Sequence, residues 1–96
     1  MTITERDILE IICKIMKNRA RATFSVDDII ATLIELGKAN VQNLPEEKRL
    51  ISRKLSDLAR RGILRINRKG LYKIANNFWD IAKSKNIECY RSILEY

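Results

Sequence analysis

Three arginines and two serines, Arg49, Ser52, Arg53, Ser56 and Arg60, lie within one short stretch of the chain. At about 100° per residue on a helix, Arg49, Arg53, Ser56 and Arg60 share one side, and Ser52 lies on its flank. A guanidinium offers a planar fork of N–H donors with a permanent positive charge, and a hydroxyl adds a short donor and acceptor. Such a row is built to meet an acceptor-rich, anionic surface. It holds no group that titrates near neutral pH, so its chemistry is recognition and not proton transfer.

The neighbourhood of that row carries all the surplus charge. Between Glu46 and Lys73 there are ten cations and three anions, a net of +7, and the rest of the chain carries nine of each sign. A neutral body with one basic segment has an electrostatic working face, and the commonest polyanion for such a face is nucleic acid.

Periodicity gives the elements that must hold this face. Thr4 opens a first helix with Asp7 at the third position, and Ile8, Leu9, Ile12, Ile15 and Met16 form its buried stripe, with Cys13 at the edge. Asn18 to Thr23 reads as a polar connection. Ser25 caps a second helix with Asp28 three residues on, Phe24 is placed to staple onto Ile29, and Gly37 ends it. A third helix is predicted over Pro45 to Arg61, with Ile51, Leu55 and Leu58 on the face opposite the arginines and Gly62 closing it. Ile63 to Asn67 and Leu71 to Ala75 alternate as strands about an Arg68-Lys69-Gly70 turn, a two-stranded hairpin whose tip carries Arg68 and Lys69. Asn77 is placed to cap a fourth helix, interrupted near Ser84-Lys85-Asn86. The fold class expected is mainly α with a small β-hairpin (α+β).

The passage Ile51-Ser52-Arg53-Lys54-Leu55-Ser56-Asp57-Leu58-Ala59-Arg60-Arg61-Gly62-Ile63-Leu64 resembles the recognition-helix-to-wing segment of small archaeal and archaeal-virus winged helix-turn-helix regulators, broadly akin to the MarR and ArsR families. The resemblance covers about Thr4 to Ala75 and implies a DNA-binding domain over residues 1–75, with a C-terminal dimerisation helix over 76–96 in the same compact unit. The chain has no metal-ligand set of the ArsR kind and is shorter than typical MarR regulators, so neither a metal nor a small-molecule effector is expected.

The residues support the same expectation independently. A helix about 10–12 Å across fits the major groove of B-DNA, where Arg49 and Arg53 can fork onto guanine and Ser52 and Ser56 can bond bases or phosphates. Arg60 lies nearer the backbone, and Arg68 and Lys69 reach an adjacent minor groove or phosphate strand. The expected partner is double-stranded DNA, bound as a transcription regulator. The alternatives are an interaction module for an acidic protein and a binder of structured RNA. Arg65 and Lys73 can instead guard hairpin edges, and Lys54 and Arg61 can cover the core with their stems.

Phe78, Trp79, Ile81, Tyr90, Ile93 and Leu94 exceed what a small domain needs for its own core, and a homodimer through them is expected. Cys13 and Cys89 are either buried thiols or a disulfide, within one chain or between two. An enzyme is not expected: there is no His, no Gly-rich phosphate loop, and no Ser or Cys with an evident base. No cofactor is called for. The absence of a signal-peptide pattern or a long apolar run suggests an intracellular, cytoplasmic protein. The wealth of Lys, Arg, Glu and Ile beside a single Gln leans toward a heat-adapted source.

Overall fold

Reciprocal caps start the first two helices in a computed structural model, which describes residues 3–18, 23–39, 41–68 and 70–87, without the side chains at 17, 18 and 41. Thr4 N donates to Asp7 Oδ2 at 3.0 Å and Asp7 N donates to Thr4 Oγ1 at 3.1 Å, opening α1 (Glu5–Asn18). Ser25 and Asp28 make the same exchange at 2.9 and 3.2 Å and open α2 (Val26–Glu35). Each box satisfies two N–H groups that a helix start otherwise leaves without an internal partner.

A single 3-10 turn, Val41–Asn43, leads into α3 (Leu44–Arg60), which begins one residue before the expected Pro45 and places that proline in its first turn. Proline's missing N–H costs nothing there. The helix ends at Gly62, whose φ of +78° is open to glycine at little cost. Gly62 N donates to Ala59 O at 3.1 Å and Ile63 N to Leu58 O at 2.9 Å, and buried Ile63 anchors the exit.

The sheet corrects the two-stranded hairpin. β2 (Leu64–Arg68) and β3 (Leu71–Ile74) pair antiparallel, and β1 (Thr23–Phe24) adds to the far side of β3, giving the order β1-β3-β2. The supposed connection therefore ends in a strand. Two residues are too few for an alternating pattern, and β1 exists because of partners some fifty positions away: Thr23 faces Lys73 and Phe24 faces Tyr72. Fully buried Phe24 stacks on the Tyr72 ring with centroids 6.2 Å apart. On the other side, Leu64, Arg65 and Ile66 face Ile74, Lys73 and Tyr72, and a shift at Asn67 brings Arg68 opposite Leu71.

α4 (Asn77–Ser84) differs from expectation at its start: Asn76, not Asn77, is the N-cap, and its side chain makes no cap hydrogen bond. The expected interruption is an orderly stop. Asn86 takes φ +55° and Ile87 N donates back to Ala82 O at 3.0 Å.

One core joins these elements. α2 packs on both α1 and α3, and Phe78, Ala82 and Ile87 bring the α4 segment into the same buried cluster. The apolar stripe of α1 is wider than its spacing suggested. Ile11 and Cys13 are buried with it, whereas Met16 is only partly covered. Among the described residues no helix is long and apolar enough to cross a membrane.

If the Phe24–Tyr72 contact anchors β1, Phe24→Ala should cost about 3–5 kcal/mol in urea unfolding. Ile66→Ala, at a side chain 63% exposed, should stay within about 0.5 kcal/mol of wild type. Equal costs would contradict the assignment of β1 to the core.

Candidate nucleic-acid interface

α3 keeps its two faces apart. Ile51 and Leu55 are wholly inaccessible and Leu58 is 1% exposed, so this face cannot turn outward without losing most of the helix's apolar burial. Each such side chain contributes roughly 1.5–3 kcal/mol. Arg49, Arg53, Ser56 and Arg60 are consequently exposed, with Ser52 half-buried beside them. Arg65 and Arg68 on β2 and Lys73 on β3 are exposed on the hairpin that follows. Lys69 lies outside the described residues.

Ion pairs sort the cations into two groups. Lys48 Nζ lies 2.9 Å from Asp27 Oδ1 and ties the start of α3 to α2. Arg61 joins Glu5 on α1 and also lies 3.3 Å from Asp57, and Lys85 Nζ reaches the other Glu5 oxygen at 3.4 Å. Arg6 extends this clasp, donating to the carbonyls of Lys85 and Asn86 at the end of α4 at 3.0 and 3.4 Å. Arg61 thus joins the end of α3 to α1, and Lys85 and Arg6 tie the close of α4 to the same place. Arg60 pairs with Asp57 one turn back while staying largely in solvent.

By contrast, Arg49, Arg53, Arg65, Arg68 and Lys73 form no ion pair or hydrogen bond with another described residue. Arg65 and Lys73 are direct cross-strand partners, an arrangement of like charges that weakens a sheet unless an anion lies between them. On α3 and the hairpin these residues carry positive charge that forms no ion pair with a described acid. They present forked guanidinium donors on α3 and β2 and one ammonium on β3, a combination suited to phosphate and base-edge acceptors.

The clasp sets local titration. The Arg61 guanidinium hydrogen-bonded to Glu5 holds that carboxyl below its ordinary value of 4.5, against a smaller opposing effect of burial, with Lys85 assisting. Arg60, then Arg61, hold Asp57 below its ordinary 3.8. The Arg61 guanidinium is raised in turn, chiefly by Glu5.

The Asp57–Arg60 and Asp57–Arg61 pairs have the i,i+3 and i,i+4 spacing at which helix neighbours meet. The Glu5–Arg61 contact spans 56 positions and has no local signal. The Arg65–Lys73 juxtaposition depends on the hairpin register.

The expected dimer residues separate as well. Phe78 is fully buried in the monomer, edge-on to Trp79 with ring centroids 5.3 Å apart. It has no surface to offer a second chain, because α4 uses it to join the core. Trp79 and Ile81 are half-buried, and Tyr90, Ile93 and Leu94 lie outside the described residues. Cys13, expected at the stripe's edge, is fully buried and disulfide-bonded, and the chain's other cysteine, Cys89, lies outside the described residues. No protein family, curated protein or solved structure matches the chain.

A carboxyl whose folded pKa is depressed stabilises the fold above its ordinary range, and that contribution is lost as the pH falls through the depressed value. The melting temperature should therefore drop as pH falls below about 4.5, with Glu5 and Asp57 both contributing. Glu5→Gln should start from a lower melting temperature at neutral pH and show a shallower acid slope. Identical acid slopes would mean that the Glu5 clasp adds nothing to folding.

Proposed function

We propose that this chain is a winged helix-turn-helix protein that binds double-stranded DNA, with α3 in the major groove and the β2–β3 hairpin as the wing on an adjacent minor groove or phosphate strand. The observation that carries the reading is the set of exposed cations without ion-pair partners among the described residues, Arg49 and Arg53 on α3 and Arg65, Arg68 and Lys73 on the hairpin. The order of three helices, hairpin and further helix supports it, being the order that the winged-helix resemblance implies.

In this reading Arg49 and Arg53 supply bidentate base contacts, Ser52 and Ser56 bond bases or phosphates, and Arg60, Arg68 and Lys69 bind the backbone. A helix face that is rigid because its other side is buried meets the groove without a large ordering cost. The protein acts as a transcription regulator, and pairs with a second copy on the side of α4, where Trp79 and Ile81 retain accessible apolar surface. A two-fold pair sets two α3 helices about one DNA turn apart, or a multiple of it, on a pseudo-palindrome.

Fluorescence anisotropy against random duplex, repeated across salt concentrations, tests the reading. With about six phosphates neutralised, log K should fall against log[salt] with a slope near −5. No binding to duplex at low salt, with binding to an acidic protein or to folded RNA instead, would overturn it. On a site selected from random DNA, Arg53→Ala should cost about 1–3 kcal/mol of specific binding and far less of non-specific binding. Sedimentation at micromolar concentration should give twice the chain mass, and a monomer throughout would remove the dimer.

A further inference from the structure

Beside the exposed face of α3 lies an open cleft of about 730 Å³, lined by α3, β2 and the turn that starts α4. Its polar lining is Ser56, Arg60, Arg65, Asn76 and Asn77, and no carboxylate lines it. Its apolar lining includes Ala59, Leu64 and Ile66, the last 63% exposed. We propose that this cleft seats one sugar–phosphate unit of a nucleic-acid backbone, with Arg65, Asn76 and Asn77 as contact residues in addition to Arg60 and Ser56. The inference rests on the DNA-binding reading and deepens it, because neither asparagine belongs to the helix row or the wing tip.

Three features carry the assignment. The first is charge. Arg60, which Asp57 pairs with from outside the cleft, and Arg65 both contribute to the lining, and no acid does. The second is donor availability. Asn76 occupies the N-cap position of α4 without a side-chain cap bond, and Asn77, Ser56 and Arg65 likewise bond no other described residue through their side chains. The Asn77 amide nitrogen is turned back over the end of α3, close enough that a Cβ at Gly62 would lie 3.2 Å from it. The third is the mixed lining. A bare inorganic anion has no use for exposed Ile66 and Ala59, whereas a deoxyribose or ribose presents apolar edges beside its phosphate. Ser56 and Arg60 belong both to the cleft and to the outer face of α3, so a strand lying along that face continues into it.

The test pairs two variants with a direct probe. Arg65→Gln removes one charge, and Asn77→Asp sets a carboxylate in the cleft at a helix start, where an acid favours folding. With random duplex, Arg65→Gln should weaken binding about three- to tenfold and flatten the salt slope by about 1. Asn77→Asp should weaken it further at an unchanged melting temperature, and Lys14→Gln, on the exposed side of α1, should do neither. In amide NMR spectra of the wild type, duplex should shift the side-chain signals of Asn76 and Asn77, and AMP or inorganic phosphate at equal phosphate concentration should not. Wild-type binding with both variants unaffected would overturn the cleft alone. Shifts by AMP or inorganic phosphate as large as those by duplex would make it a site for free anions and overturn its assignment to the polymer. Absence of wild-type binding to any duplex would remove the DNA-binding reading, and this inference with it.

Discussion

Burial of Ile51, Leu55 and Leu58 is the constraint from which the exposed surface of this protein follows. Once that face of α3 is committed to the core, the helix has one permissible rotation, and Arg49, Arg53 and Arg60 have no inward alternative. Charged side chains would have to be desolvated to turn in, at a cost no helix of this size offsets. The outward row of donors is therefore a consequence of packing before it is a matter of function. α3 also packs against α2, and the Arg61–Glu5 clasp joins its end to α1.

The hairpin obeys a second constraint, the pairing of β1 with β3. Phe24 and Tyr72 point into the core on one side of the sheet, which leaves Thr23, Lys73 and Arg65 in a single row on the other. Core packing thus chooses which hairpin cations face outward, as it does for α3. The close of α3 at Gly62 sets the angle between the two. Ile63 and Leu64 drop directly into the core, and the cleft containing Arg60, Arg65, Asn76 and Asn77 opens beside that turn.

Local signals carried much of this into the sequence. The Thr4–Asp7 and Ser25–Asp28 boxes, the proline near the start of α3, the glycine after it, and the segregation of its faces all depend on residues within a few positions of one another. What escaped depends on distant partners. β1 is two residues long and owes its existence to Tyr72 and Lys73. Phe78 looked like surplus apolar surface because the space it fills is made by other elements. Asn77 looked like a cap because asparagine before an apolar run usually is one; with the helix starting one residue earlier, its side chain is turned over Gly62 instead. The charge window was legible as a count, but only the ion pairs divide it. Lys48 and Arg61 hold helices together, whereas Arg49, Arg53, Arg65, Arg68 and Lys73 meet no acid among the described residues.

The proposed binding places a polyanion on the outer face of α3, the hairpin and the cleft between them. The most direct measurement is the arginine side-chain Nε–Hε NMR spectrum during titration with duplex DNA at low salt. Binding at the proposed surface should shift Arg49, Arg53, Arg65 and Arg68 together, while Arg6 and Arg61, held in the clasp between α1, α3 and α4, stay where they are. Shifts concentrated on Arg6 and Arg61 with the α3 and hairpin signals unmoved would contradict it.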